Sequence, residues 1–254
     1  MPETNPGDII DAEEKRSLRN VDRILPSQPV MRKLFADESG DFHERLEAIL
    51  LCVQPAPAVE RKWNLELKPG VTYASLGSEL TTLHLYQLLI VLGGIRRVLE
   101  LGTYIGVSAL YLAEAVGPRG HVTTVERGEE FIAIARRNFI RNGLDERIHA
   151  VLDGAGEARR RYVLEGRQYD MVLVDAAKEE YATMLDPALR CLAPGGLLVV
   201  DDIFMNGDTL NPMPATDKGR GVQGLLAMVS RLTADYARVI LPMGNGTLLV
   251  RKPD

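Results

Sequence analysis

RVLELGTYIGVSAL, residues 97–110, is the stretch that decides the fold of this chain of 254 residues. It begins as a short apolar run, turns at two glycines, Gly102 and Gly106, and continues into a helical pattern. A buried strand, a glycine turn and a helix in this order are typical of the first unit of a doubly wound α/β domain. Ligands of such domains bind beyond the carboxyl ends of the strands.

The same alternation of strand and helix continues along the chain. Helical patterns separate four further apolar runs, and this spacing predicts a parallel sheet covered by helices on both faces. The LAPGG run (192–196) is interpreted as a structural turn before the last of these strands. The predicted strands after RVLELG (97–102) are HVTTVE (121–126), IHAVLDG (148–154), YDMVLVD (169–175) and GLLVVDD (196–202).

The C-terminus departs from this alternation. ARVILPM and GTLLVRK are two apolar runs separated only by Gly244 and Asn245, and such a connection indicates a β-hairpin. The sequence therefore predicts an α/β fold with a doubly wound, mostly parallel seven-stranded sheet and helices on both faces. The sheet is expected to end in a C-terminal antiparallel hairpin strand.

Residues 1–77 and 78–254 are expected to have different roles. The first part contains an amphipathic pattern over 21–53 and a proline-rich connection. We interpret it as an N-terminal extension that forms either a helical cap or a dimerisation segment. The second part begins with a predicted helix over 78–92 and contains the sheet. We therefore expect one ligand-binding domain, assembled as a homodimer.

Composition narrows the class of protein. The formal net charge of −5 argues against a nucleic-acid partner, because proteins that bind nucleic acids usually carry an excess of basic residues. The arginines near residue 137 are interpreted as a solvated helix face. No apolar run approaches the roughly 18 residues of a membrane span. The two cysteines, Cys52 and Cys191, lie far apart and in no metal-binding spacing. We expect a cytoplasmic protein that acts on a small molecule.

The glycine turn predicts a particular kind of ligand. A dinucleotide fingerprint has the spacing G-x-G-x-x-G, whereas Gly102 and Gly106 give G-x-x-x-G, which favours a carboxylate over a pyrophosphate, as in the methionine portion of S-adenosylmethionine. Glu126 closes the second predicted strand, where an acid can accept both ribose hydroxyls. The turn with Gly154 and Ala155 has only small side chains after its acid and would let an adenine ring lie against the backbone.

Three acids follow two neighbouring predicted strands: Asp175, Asp201 and Asp202. Carboxylates gathered this closely repel one another unless a proton or cation intervenes, and an oxygen-binding cation such as Mg²⁺ satisfies them economically. The structural alternative is that they cap helices or bind loop amides. Lys178 lies three residues beyond Asp175. Beside a metal and a sulfonium its pKa would be lowered, which suits a general base.

These segments together resemble the metal-dependent O-methyltransferase family, which includes the catechol and caffeoyl-coenzyme A O-methyltransferases. The resemblance covers residues 78 to the C-terminus and implies methyl transfer from S-adenosylmethionine to a hydroxyl of a catechol, phenol or vicinal diol, with a divalent metal. The segments that carry it are LELGTYIGVSAL, VLVDAAKEEY, LLVVDDIF and PMGNGTLLVRK.

The resemblance implies roles for individual residues. Glu100, Gly102, Tyr104 and Ser108 match positions that hold the methionine portion, and Glu126 matches the ribose-binding acid. Asp175, Asp201 and Asp202 match the metal ligands, and Lys178 matches the catalytic lysine. In the family the third metal position is usually Asn, whereas this chain has Asp202, like the macrolide-sugar O-methyltransferases. That difference leaves the charge of the site and the identity of the metal open.

Three other functions compete with this interpretation. A metal-free methyltransferase would act on nitrogen or a carboxyl group. An NAD-dependent oxidoreductase is disfavoured by the G-x-x-x-G spacing and the closing hairpin. A non-catalytic cofactor-binding or assembly protein is disfavoured by the presence of Lys178 together with all three acids.

Overall fold

The computed structural model describes residues 62–72 and 80–254. Its strands are β1 (Arg97–Leu101), β2 (His121–Glu126), β3 (Ile148–Leu152), β4 (Tyr169–Val174), β5 (Leu192–Val200), β6 (Ala237–Leu241) and β7 (Thr247–Arg251). They form one sheet in the order β3-β2-β1-β4-β5-β7-β6. Strands β1 to β5 are parallel, and β7 is antiparallel to both β5 and β6. The predicted seven-stranded, mostly parallel sheet is confirmed.

Helices cover both faces of this sheet, as the sequence predicts. Helices α1, α2 and α3 contribute to the core on one face, and α4, α5 and α6 contribute to the core on the other. Both cores are aliphatic and aromatic, because the central parallel strands β1 and β4 are buried on both sides. The helices are α1 (Leu80–Gly93), α2 (Val107–Val116), α3 (Glu129–Arg141), α4 (Ala155–Leu164), α5 (Tyr181–Cys191) and α6 (Asp217–Val229), with short 3-10 helices at Lys178–Glu180 and Met205–Leu210.

Two local predictions are wrong. The LAPGG run is not a turn before a strand, because β5 begins at Leu192 and includes it, with a register shift against β4 between Tyr169 and Met171. The β6–β7 connection is five residues (242–246) rather than two. Pro242 has no N–H to donate to a ladder. In addition, the carbonyl groups of Asn245 and Gly246 accept hydrogen bonds from the loop that follows β5.

The described part of the N-terminal region, residues 62–72, packs against α2 and α3. Trp63 is buried against Tyr111 of α2, with ring centroids 5.5 Å apart, and Lys62 forms an ion pair with Glu114. The predicted cap or dimerisation role of residues 1–77 concerns mostly 1–61 and 73–79, which lie outside the described residues, as do the first two residues of the predicted 78–92 helix. Among the helices described, none is long and apolar enough to cross a membrane.

Candidate active site

The functional residues predicted from the sequence meet at one edge of the sheet. Just beyond the strands, the backbone N–H groups of Gly102, Asp153, Asp175 and Asp201 donate hydrogen bonds of 2.9–3.1 Å to carbonyl groups at the ends of neighbouring strands. These bonds continue the parallel ladders by one residue and hold the motifs side by side. The carboxyl ends of β1 to β5 therefore define one crevice, as expected for this fold.

A cavity of about 560 Å³ lies in this crevice, within the range typical of small-molecule sites. Most of the predicted residues line it, while Glu100, Gly106 and Asp201 are not among the lining residues. The predicted residues that line the cavity are Gly102, Tyr104, Ser108, Glu126, Gly154, Ala155, Asp175, Lys178 and Asp202. The structure thus brings most of the residues predicted to bind the cofactor, and most of those predicted to act in catalysis, to the wall of one cavity.

The turn of residues 102–106, called the glycine turn below, has little room for side chains. Gly102 has φ +106°, and a Cβ atom there would overlap the carbonyl oxygen of Asp175. A Cβ atom at Gly106 would lie 2.5 Å from the Phe139 ring of α3. Both glycines are therefore required by close packing as well as by backbone conformation.

Glu126 is oriented by two backbone amides. Its Oε2 accepts a hydrogen bond from the Tyr104 N–H at 2.9 Å, and its Oε1 accepts one from the Gly128 N–H at 2.8 Å. Each carboxylate oxygen can accept a further bond, and the side chain lines the cavity. The carboxylate is therefore fixed in a position where it can receive two hydroxyl groups.

Glu100 is completely buried behind the glycine turn. The hydroxyl of Thr124 donates a 2.5 Å hydrogen bond to its Oε2. Burial raises the pKa of Glu100 to about 8, although hydrogen bonds from Ser108 and Thr124 act in the opposite direction. Glu100 is consequently protonated near neutral pH, and it supports the turn from beneath.

Two of the three predicted metal-binding acids, Asp175 and Asp202, pair with a lysine. Lys178 Nζ forms an ion pair with Asp175 Oδ1 and a second, at 3.1 Å, with Asp202 Oδ2. Burial by itself would lower the pKa of Lys178, yet the Tyr181 hydroxyl and both carboxylates raise it above its usual range. The ammonium lies between two negative charges, whereas the lowering of the pKa expected from the sequence requires a metal and a sulfonium beside the lysine.

Asp201 is more deeply placed than its neighbour. It is 5% exposed, and burial together with the charges of Asp175 and Asp202 raises its pKa to about 6. Its Oδ1 accepts the N–H of Asp202 at 2.8 Å and lies 3.5 Å from the Thr247 hydroxyl. The buried hydroxyl of Tyr86, from α1, also faces this carboxylate. The negative charge at this edge is thus only partly neutralised.

Asp202 has a left-handed backbone, with φ 58°. Non-glycine residues rarely adopt this region, and Asp and Asn tolerate it best. The loop that follows is fixed by the β6–β7 connection, since Phe204 N–H donates to the Asn245 carbonyl and Asn206 N–H donates to the Asn245 side chain. The turn directs Asp202 toward the cavity, where its carboxylate meets Lys178.

Several lining residues were not predicted from the sequence. Leu83 of α1 and Phe131 of α3 line the cavity although their helical periodicity indicates only core packing. Arg127 and Glu180 approach each other to 3.5 Å at its surface. Arg127 directly follows Glu126, so its position at a strand end was the one available signal. Leu83 and Phe131 left no comparable signal.

Two further observations bear on the sequence-based expectations. In residues 62–72 and 80–254, no group of three His, Cys, Asp or Glu side chains is arranged to hold a metal ion.

The arginines of α3 have structural partners: Arg137 and Arg141 form ion pairs with Glu66, and Arg136 donates to the Ala150 carbonyl. These arginines therefore stabilise the fold rather than form a free basic patch.

Comparison with known proteins agrees with this geometry. Residues 71–253 match the model of a family described as O-methyltransferase. Catechol O-methyltransferase of Niastella koreensis is 31% identical over 159 residues, which are 62% of this chain and 72% of that protein. The enzyme of the same name from Mycobacterium tuberculosis is 36% identical over 115 residues, 45% of this chain and 51% of that protein.

A solved structure shows the same fold. The O-methyltransferase of Bacillus cereus, crystallised in complex with S-adenosylhomocysteine, superimposes with a TM-score of 0.63 at 21% identity. The match covers 91% of this chain and 97% of that one.

Together, the doubly wound sheet and these matches define the class of S-adenosylmethionine-dependent methyltransferases. Within that class, the chain belongs to the O-methyltransferase family, because the family model matches most of its length. The predicted enzyme class, an S-adenosylmethionine-dependent O-methyltransferase, is thereby confirmed. This membership excludes the NAD-dependent oxidoreductase that competed with it.

Proposed function

We propose that this enzyme methylates a hydroxyl oxygen of a catechol, phenol or vicinal diol, using a divalent cation such as Mg²⁺ and Lys178 as the base. The observation that carries the proposal is the joint position of Asp175, Asp202 and Lys178 on the wall of the cavity that also contains the glycine turn. The two relatives named catechol O-methyltransferase support this substrate class.

The methyl donor is assigned to the side of the cavity formed by β1, β2 and β3. The backbone N–H groups at the start of α2 offer donors to its carboxylate, with Ser108 among them. Glu126, held by two amides, accepts the ribose hydroxyls. Gly154 and Ala155 leave room for the adenine ring, since neither has a large side chain.

The chemistry of the acids fits a hard cation. All three contribute carboxylate oxygens, the ligand type that Mg²⁺ prefers, and the pKa of Asp201, about 6, reflects burial and unneutralised negative charge nearby. The ammonium of Lys178 supplies the positive charge between Asp175 and Asp202 in this structure. A divalent cation and this ammonium would therefore compete for the same two carboxylates.

The divalent cation and the role of Lys178 as the base depend on each other. Lys178 can accept a proton at Nζ only as the neutral amine, and its ion pairs with Asp175 and Asp202 stabilise the charged form. A cation held by Asp175, Asp201 and Asp202 would supply a Lewis acid that lowers the pKa of the substrate hydroxyl.

Lys178 would then take the hydroxyl proton. The substrate oxygen attacks the sulfonium methyl in line, and the carbon–sulfur bond breaks to leave S-adenosylhomocysteine. Holding the two reactants in one cavity supplies much of the rate enhancement, about 7–11 kcal/mol in favourable cases.

A second candidate is favoured by one observation. Because Lys178 already bridges Asp175 and Asp202, the site could act without a metal, with the ammonium orienting an acceptor group. Such an enzyme would be a metal-independent methyltransferase, and its acceptor need not have two adjacent oxygens.

Chelation separates the two candidates. The purified enzyme is dialysed against a strong chelator and assayed with S-adenosylmethionine on catechols, simple phenols and vicinal diols, before and after Mg²⁺ or Mn²⁺ is restored. We expect activity to fall at least 100-fold and to return with the metal. Full activity after chelation, with S-adenosylhomocysteine binding intact, would select the metal-independent candidate.

The domain division at residue 78 and the homodimer remain proposals about the whole chain. Light scattering coupled to size-exclusion chromatography measures the mass in solution directly. A mass of one chain at micromolar concentration would contradict the homodimer.

A further inference from the structure

Residues 62–72 are docked on α3 through a buried asparagine. Asn138 is fully buried, and its side chain makes three hydrogen bonds to backbone groups. Its Oδ1 accepts the Glu66 N–H at 2.6 Å, while its Nδ2 donates to the Glu66 carbonyl at 3.1 Å and to the Ile105 carbonyl at 2.9 Å. One side chain therefore joins the 62–72 segment to the glycine turn, of which Ile105 is part.

The same segment is held by a second asparagine and by charge. One helical turn after Asn138, the side chain of Asn142 pairs in the same way with the backbone of Asn64, through bonds of 3.0 and 3.1 Å. Glu66 forms ion pairs with Arg137 and Arg141. These contacts fix the segment along α3 and, through Glu66, fix the amide of Asn138.

A separate contact links the segment to the aromatic wall of the cavity. Lys68 lies 4.4 Å above the Phe131 ring and pairs with Glu130 at 2.8 Å. Phe131 in turn packs against Tyr104, with centroids 4.8 Å apart, and both rings line the cavity. The segment therefore contacts the donor side of the cavity by a path that does not involve Asn138.

We propose that Asn138 is a positioning residue for the methyl donor, which fixes the glycine turn at Ile105 and couples it to the docked 62–72 segment. The donor contacts the turn, not Asn138. Since binding that orders one element favours the ordering of an element coupled to it, donor binding and docking of the segment stabilise each other. The inference rests on the proposed function in one respect, namely that the donor binds at the glycine turn.

The test compares two variants of the same helix. Asn138→Ala removes the link between the 62–72 segment and the glycine turn. Arg136→Ala removes a hydrogen bond from α3 to the Ala150 carbonyl and leaves the contacts of the segment and of the turn unchanged. S-adenosylhomocysteine is titrated calorimetrically into each. We expect the Kd to rise about tenfold in Asn138→Ala, the size of one lost buried hydrogen bond, and to stay within about twofold of the wild type in Arg136→Ala.

Kinetics distinguish positioning from general destabilisation. In Asn138→Ala the KM for S-adenosylmethionine should rise about tenfold while kcat at saturation stays within about twofold of the wild type, because the bound donor restores the turn. Unchanged Kd and KM would overturn the proposal. A wild-type enzyme that binds no S-adenosylhomocysteine would contradict the proposed function itself, and so is distinguishable.

Hydrogen exchange covers the case in which Asn138→Ala does not fold. The wild-type chain is exchanged with and without S-adenosylhomocysteine. Slower exchange in both 62–72 and 102–106 on binding supports the coupling. Protection confined to 102–106 overturns it.

Discussion

The two ends of the cavity are built on different physical principles. At the proposed donor end, backbone amides orient Glu126 and close packing shapes the glycine turn, as the contacts at Gly102 and Gly106 show. At the proposed acceptor end, the arrangement depends on charge, since Lys178 is held between Asp175 and Asp202. The donor end is therefore sensitive to shape and the acceptor end to protonation and cations.

This difference suits the two substrates. Every reaction of the enzyme uses the same donor, so a rigid site defined by the backbone does not restrict the range of acceptors. The acceptor must lose a proton during the reaction, and a site that exchanges positive charge can respond to that loss. Substitutions that change side-chain volume should consequently have their largest effects at the proposed donor end. Substitutions that change charge should have theirs at the proposed acceptor end.

The largest effect is expected from Lys178→Met at the acceptor end. Loss of the base should lower kcat by about 10³-fold, within the usual range for general base catalysis, while the Kd for S-adenosylhomocysteine changes little. Single-turnover kinetics measure the first quantity and calorimetry the second. Lys218→Ala, at an exposed position on α6, is the matched control, and a Lys178→Met enzyme as fast as this control would refute the base assignment.

Gly102→Ala should be nearly as damaging, but through shape. The added methyl group overlaps the Asp175 carbonyl, and φ +106° is strained for alanine, so we expect donor affinity to fall about 100-fold. Gly143→Ala has a similarly positive φ of +64° with open space around the Cβ position, and it should leave affinity unchanged. Equal Kd values for the two variants would show that the turn is not the donor site.

Glu100→Gln tests the buried acid beneath the turn. The pKa of Glu100 is raised from 4.5 to about 8 on folding, so its favourable contribution is complete below pH 4.5 and is lost as the pH rises toward 8. The variant should match the wild type at low pH and be more stable at pH 7, by on the order of 3 kcal/mol. Urea unfolding between pH 4 and 9 measures this. A constant difference across that range would contradict it, and Glu146→Gln, at an exposed site, serves as control.

Glu126→Gln should give the smallest effect. Replacing the carboxylate weakens its bonds to the ribose hydroxyls and turns an amide N–H toward one of its two backbone donors, which we expect to raise the KM for S-adenosylmethionine about tenfold. Glu129→Gln, in the first turn of α3, controls for the change in charge. A KM equal to that of this control would remove Glu126 from the donor site.

The sequence predicted the succession of strands and helices along the chain and the edge of the sheet at which the site lies. The reason is that apolar runs ending in Gly102, Glu126, Asp175 and Asp201 mark where the chain leaves the core, and parallel strands bring such ends together. The β5 start was wrong because it depends on pairing with β4. The β6–β7 connection was wrong because Pro242 cannot donate to the ladder and because Asn245 and Gly246 bind the loop after β5.

The charge state of the site could not be predicted in the same way. That Lys178 follows Asp175 is visible in the sequence, but its second ion pair, with Asp202, depends on how β4 and β5 align. Asn138 is likewise indistinguishable in sequence from a polar surface residue of α3, since only the packed structure buries it against Ile105 and Glu66.

The left-handed backbone at Asp202 has a consequence for how this site can vary among related enzymes. With φ 58°, the position accepts Asp, Asn or Gly far more readily than any branched or bulky residue. The backbone conformation thus limits which residue types can occupy position 202, independently of the ligand that the site binds. Of the residues it permits, Asp and Asn differ by a single negative charge at nearly the same shape. A lineage can therefore change the charge of the site in one mutational step without refolding the loop.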